Sequence, residues 1–122
     1  MSEEPANFRF NRSNRLLKAA EFKFVFAKPV KVSNSYISLL ARKNGLKHAR
    51  LGLAIAKRQV RKASDRNRLK RLIRESFRHN QDILSGLDII ALVRSSAVSE
   101  TNANFLHQVQ RQLDRLKQKC EK

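Results

Sequence analysis

The side chains best able to do chemistry crowd into one stretch: Arg66, Asn67, Arg68, Lys70, Arg71, Arg74 and Arg78 all fall within RQVRKASDRNRLKRLIRESFRHN, residues 58–80. From Lys57 to Arg78 there are ten basic residues against Asp65 and Glu75. Guanidinium groups are permanently charged forks of N–H donors that match phosphate oxygens, so this stretch offers polyanion binding rather than proton transfer. A merely solvated helix face mixes signs so that acids four residues away support the helix, and Glu75 is nearly the sole such acid here. Catalytic side chains are scattered. His48, His79 and His107 lack the close spacing of a helical metal site, no acid cluster suggests a two-metal nuclease, and three glycines leave little room for a nucleotide-cradling loop. No catalytic residue and no metal ligand is assigned. The single Cys120 has no second thiol for a disulfide or a zinc site.

The element that carries the arginines is a helix. At about 100° per residue, Leu69, Leu72, Ile73 and Phe77 share one apolar arc, while Asn67, Arg71, Arg74 and Arg78 fall opposite. One face docks on the protein body; the other presents guanidiniums about one turn apart, roughly 5.4 Å, close to the spacing of successive phosphates. Ser64 is the expected N-cap and Asn80 the expected end. Arg66, Asn67 and Arg68 also sit near the helix N-terminus, where unpaired N–H groups favour an anion.

The rest of the chain must supply the body. Its 122 residues fit one domain, and 41% apolar content allows a modest core without metals or disulfides. The excess of 27 Lys+Arg over 10 Asp+Glu, a net +17, costs self-repulsion unless a polyanion is the normal partner, which makes nucleic acid the first candidate. No apolar run approaches membrane-spanning length, and MSEEPANFRF lacks the apolar core of a signal peptide. A soluble, cytoplasmic protein with no membrane partner and no small-molecule substrate is expected.

Residues 1–14 read as a flexible basic arm, with Arg12 and Arg15 as possible partner contacts. AAEFKFVFA, residues 19–27, alternates phenylalanines like a strand yet places Phe22, Val25 and Phe26 on one helix face; Ala-Ala-Glu at its start and Pro29 after it favour a helix. VKV and the stretch from Tyr36 to Arg42 read as extended, with a turn at Asn44-Gly45, and RLGLAIA reads as the hairpin partner of the latter strand. After Ser85-Gly86, LDIIALV suits a strand buried on both faces. From about Asn102, Phe105 or Leu106, Val109, Leu113 and Leu116 recur at helical spacing. The order is α, three strands, α, β, α: an α+β sheet layered with helices.

The text Arg66-Asn67-Arg68-Leu69-Lys70-Arg71-Leu72-Ile73-Arg74-Glu75 resembles the RNR signature of the bacterial ribonuclease P protein family. Leu16 to Phe26 is similar to that family's first helix, RLGLAIAKR to the strand before the signature, and LDIIALVR to the strand after it. The resemblance implies a single-domain αβββαβα sandwich over residues 15–118, like the second domain of ribosomal protein S5, with a left-handed β-α-β crossover and a tail over 119–122. It implies a subunit of an endoribonuclease whose RNA is the catalyst and removes the 5′ leader of precursor tRNA. Arg66, Asn67, Arg68, Lys70, Arg71, Arg74 and Arg78 would then face that RNA, and Phe22, Phe26, Tyr36, Lys57 and Arg58 would line or border a cleft holding the single-stranded leader. Phe22 is expected to present its ring to the leader. Leu39 stands where some members have an aromatic residue on the cleft strand. Magnesium is expected with the RNA, and no cofactor on the protein alone.

Two other readings share charge and size. A ribosomal protein or RNA chaperone of similar fold would bind RNA as well, and only the signature together with the aromatic first helix favours the ribonuclease P subunit. A self-sufficient nuclease would need catalytic groups that the chain lacks.

Overall fold

The fold is built around its most apolar strand. In the computed structural model, which describes residues 14–121, Leu87–Val93 forms β4, buried along nearly its whole length. A strand apolar on both faces needs a neighbour on each edge and a layer on each face, and β4 has all four. Ile37–Lys43 (β2) pairs with it antiparallel, Arg50–Ala54 (β3) pairs with it parallel, and Val30–Ser33 (β1) completes the sheet on the far edge of β2. The strand order is therefore β1-β2-β4-β3.

This order corrects the expected hairpin. β3 does not pair with β2; β4 lies between them, and the Asn44-Gly45 turn starts a connection over residues 44–49 that passes the start of β4, where the Asn44 N–H donates to the Gly86 carbonyl. Alternation in RLGLA told which face each side chain takes, but alternation is silent about which neighbour a strand chooses.

Helices cover both faces. Ala63–His79 (α2) and Asn102–Cys120 (α3) pack on one face around Ile37, Leu39, Leu69, Ile73, Phe77, Ile89, Phe105 and Leu116, which form the larger core. Ala19–Ala27 (α1) lies on the other face, where Leu16, Val25, Leu40 and Ile90 form a smaller one. α2 links the parallel pair β3 and β4, and a short 3-10 helix, Ser95–Ser99, leads from β4 into α3. α3 runs past residue 118 to Cys120. Arg12 and most of the expected arm lie outside the described residues, but the arm's last residue belongs to the body. Asn14 is buried with its side-chain amide donating to the Ala49 carbonyl, and Arg15 and Leu16 run beside the outer edge of β3. That arrangement covers part of an otherwise open sheet edge.

α2 begins two residues earlier than expected. Its N-cap is Lys62, which makes no side-chain cap bond, and Ser64 lies inside the first turn. Asp65 in that turn complements the helix dipole, as Arg78 and His79 do in the last turn.

Candidate nucleic-acid interface

The α2 surface sorts by its helical angle. Leu69, Leu72, Ile73 and Phe77 are buried, Asn67 and Arg71 are exposed, and Arg74 and Arg78 are half-exposed. The apolar arc and its cationic opposite thus stand as the spacing predicts. Arg74 is held below the ordinary arginine pKa by burial and by the nearby Arg15. The two like charges face the outer edge of β3 together, an arrangement that an anion would relieve. At the C-terminal end of the row, Glu75 accepts from Arg78 through both carboxylate oxygens at 2.7 and 2.8 Å and lies 2.9 Å from His79, which holds its pKa below the usual carboxylate range.

Arg66 and Arg68 behave differently from the row between them. Arg66 Nη1 donates to the carbonyls of Val60 and Arg61, and Arg68 reaches Asn102 Oδ1 and the Val98 carbonyl. Lys70 is half-exposed on the same flank as Arg66.

Across the C-terminal ends of β3 and β4, on the α1 face of the sheet and beside the connection that leads into α2, lies a groove of about 490 Å³. Its floor is Ser38, Ala54 and Leu92; Lys31, Arg58, Gln59 and Arg94 surround it. Arg94 donates to the Ser38 hydroxyl at 3.3 Å, and the Ser95 N–H donates to Gln59 Oε1 at 3.1 Å, joining the two segments that border it. A second hollow, of about 440 Å³, lies at the opposite end of the sheet beside Leu46, Ile83 and Cys120. Burial raises the Cys120 thiol pKa.

α1 flanks the groove, and its aromatic residues divide. Phe26 is 49% exposed. Phe22, one turn earlier, is half-buried against the smaller core, its ring lying over Gly52 of β3 so closely that an added Cβ there would meet ring carbons at 2.7–3.0 Å. Gly52 is thus the residue that lets α1 approach the sheet. The expected presentation of the Phe22 ring to a ligand is therefore only partial, since one face of the ring is committed to packing. Phe24 points away from this site and carries the Arg42 guanidinium over its ring at 3.9 Å.

Tyr36 and Leu39 are placed elsewhere than expected. Tyr36 packs against the larger core, and its hydroxyl bonds the Glu100 carboxylate, which raises the phenol pKa. Leu39 is buried under α2 and α3; the β2 residues turned toward α1 are Ser38 and Leu40. The Leu39 correction follows from strand parity, because Ile37, Leu39 and Ala41 take the larger core and leave Ser38 and Leu40 to the other face; Tyr36 precedes β2, in the turn where Asn34 Oδ1 accepts from the N–H groups of Tyr36 and Ile37, so the strand's alternation does not govern it. Lys57 and Arg58 are exposed in the β3–α2 connection, with Arg58 at the groove.

The contact that docks α1 was not visible in the sequence. Arg50 binds Asp88 through two bonds of 2.8 and 2.7 Å and reaches Glu21 of α1 at 3.0 Å. Glu21 accepts from the Leu17 and Lys18 N–H groups as well, and these bonds, with Arg50, hold its pKa below the usual carboxylate range. Its stabilising contribution is present above the ordinary carboxylate pKa and lost as pH falls through the lowered value. A Glu21→Gln protein should therefore show a flatter stability profile than the parent on acidification, measured by urea unfolding at a series of pH values.

Among the described residues, no group of three or more His, Cys, Asp or Glu could hold a metal ion, and no helix is long and apolar enough to cross a membrane.

Fold and site define a class: a small, basic α+β RNA-binding protein with a cationic helix beside a groove flanked by aromatic residues. The chain belongs to the ribonuclease P protein family, whose model, described as Ribonuclease P, matches residues 10–117. It is 53% identical over 100 residues to a ribonuclease P protein component of Pseudomonas aeruginosa, covering 81% of this chain and 73% of that one. It is 43% identical over 113 residues to one of Methylococcus capsulatus, covering 93% and 88%. Among solved structures, the ribonuclease P protein of Thermotoga maritima superposes with a TM-score of 0.71 at 33% identity, over 85% of this chain and 96% of that one. The Staphylococcus aureus protein gives 0.73 at 29% identity, over 88% and 94%. The role that follows is that of protein subunit in the ribonuclease P ribonucleoprotein, an endoribonuclease of tRNA processing, with the ribonuclease P RNA as partner.

Proposed function

We propose that the outer face of α2 binds the ribonuclease P RNA and that the groove beside α1 receives the 5′ leader of precursor tRNA. Asn67, Lys70, Arg71, Arg74 and Arg78 face the RNA, with Arg66 and Arg68 at the margins of the row; Phe22, Phe26, Lys57 and Arg58 serve the leader, with Arg15 beside Arg74 as a further phosphate contact. The observation that carries this reading is a groove bordered by Lys31, Arg58 and Arg94, whose floor residues Ala54 and Leu92 share a core with Phe22 of α1 and whose β3–α2 border leads into the cationic helix, since stacking surfaces beside cations suit unpaired nucleotides whatever their sequence. The acid groups of the described chain are dispersed or engaged, so they do not fit a magnesium site. Cleavage and its magnesium then belong to the RNA, in the cytoplasm. The structured body extends over residues 15–118 and a little beyond.

Rigorously RNA-free protein should leave precursor tRNA intact, and adding the cognate catalytic RNA at low magnesium should give accurate 5′ cleavage. Accurate cleavage by the protein alone would refute this division of labour. On α1, Phe26→Ala should weaken holoenzyme affinity for precursor tRNA by ~1–3 kcal/mol, the worth of one stacked base, while hardly changing affinity for mature tRNA. Its exposure means that folding should survive. Phe22→Ala should lower stability as well, because that ring also fills space over Gly52. Equal weakening toward both tRNAs by a folded Phe26→Ala protein would leave the leader contact unsupported.

A further inference from the structure

The two signature arginines do not point along the RNA-facing row. Arg66 Nη1 lies 2.9 Å from the Val60 carbonyl and 2.8 Å from that of Arg61, the end of the connection that brings Arg58 and Gln59 to the groove. Arg68 Nη2 lies 2.9 Å from the Val98 carbonyl and Nη1 2.8 Å from Asn102 Oδ1, on the 3-10 helix and the first residue of α3. That 3-10 helix starts with Ser95 and Ser96, which line the groove's other border. The two borders meet where the Ser95 N–H donates to Gln59.

These bonds close a ring. It leaves α2 through Arg66, passes along the β3–α2 connection to Gln59, crosses to Ser95, follows the 3-10 helix to Val98, and returns to α2 through Arg68. The Lys62 cap itself makes no side-chain bond. Arg68 spans its two acceptors with both terminal nitrogens of the planar fork, and Arg66 places Nη1 between two adjacent carbonyls at the full reach of its side chain.

We infer that Arg66 and Arg68 are positioning residues that hold the two borders of the groove at a fixed separation from α2, so that the helix bound to the RNA also sets the shape of the leader site. The inference rests on the reading of the groove as the leader site. It explains why these arginines stand in the signature although their donors turn toward protein carbonyls.

Both lysine variants keep the charge: Arg68→Lys loses the fork, and Arg66→Lys, with its shorter side chain, withdraws the donor from the place of Nη1. In the holoenzyme, each should cut the ratio of precursor to mature tRNA affinity by about tenfold, the scale of one charge-assisted hydrogen bond. The salt dependence of binding to the ribonuclease P RNA should be unchanged, because the number of cations is unchanged. In the free protein, amide hydrogen exchange should speed up across residues 57–61 and 95–99 while the sheet amides keep their protection. Lysine variants with parental tRNA selectivity and parental exchange would overturn the inference and make the two arginines ordinary phosphate ligands. If the parent holoenzyme itself shows no preference for precursor over mature tRNA, the leader reading fails; the exchange rates of the free variants then still decide whether these side chains hold the borders.

Discussion

RNA affinity should fall on the order of 10³-fold between about 50 and about 200 mM salt, the loss expected when about six phosphate contacts release their counterions. Arg71, Arg74 and Arg78 on the outer face of α2, with Lys70 on its flank, Arg15 beside Arg74 and Arg58 at the groove, supply that many cations on connected surface. Replacing both Arg71 and Arg74 by alanine should lower the slope of log affinity against log salt by about one per arginine. Folding should hardly notice. Arg71 is exposed, and exposed side chains typically contribute within about 0.5 kcal/mol. Arg74 has an additional reason: burial and Arg15 disfavour its charge in the folded state, so its removal relieves a cost. A nearly flat salt response of the parent protein would sink the polyelectrolyte account of this helix, and a large loss of stability in the double variant would show that the wrong face had been assigned to solvent.

That face was legible because a helix repeats. Leu69, Leu72, Ile73 and Phe77 fix where the body lies, and every other position of α2 follows by rotation. β4 was legible for a similar reason, since a strand of seven residues that are all apolar but Asp88 has to be covered on both sides. Its neighbours were not. Strand partners are chosen by contacts far apart in sequence, and the two strands Ile37–Lys43 and Arg50–Ala54 looked like a hairpin until the more apolar β4 took the place between them. The cleft side of β2 was hidden as well, because Leu39 and Leu40 are both apolar and both buried, on opposite faces. Tyr36 was hidden for another reason: the Asn34 side chain, by accepting from the N–H groups of Tyr36 and Ile37, makes a turn there, so Tyr36 stands outside the strand's alternation. The double use of the arginines was the least legible part: spacing distinguishes helix faces, but an arginine on the margin can turn to water, to phosphate or to a carbonyl thirty residues away, and only the fold decides.

The groove depends on α1 staying docked, and that depends on a carboxylate far from any RNA contact. Asp88 on β4 is fully buried; it accepts Nε and Nη2 of Arg50 and the side-chain amide of Asn44 at 2.9 Å. Arg50 is its register partner on β3 and passes the link on to Glu21 of α1, so one buried acid ties together two strands, the β2–β3 connection and the helix that carries Phe22 and Phe26. Removing it in Asp88→Ala should cost about 3–5 kcal/mol, because the change takes two of the three bonds from the part-buried Arg50 guanidinium and leaves Glu21 as its one carboxylate partner among those described. The ion pair need not be better than an apolar pair of the same volume for this to hold; the loss arises from breaking one half of it. Glu75→Ala, which removes a comparably bonded but solvent-facing acid, should cost at most about 1 kcal/mol. Urea unfolding of the three proteins compares them directly. An Asp88→Ala protein within about 1 kcal/mol of the parent would mean that α1 is held by Val25, Leu16 and the Phe22 ring alone. The predicted loss should instead come with weakened selectivity for precursor tRNA at temperatures where the sheet is still folded, since α1 is released before the larger core under α2 and α3 gives way.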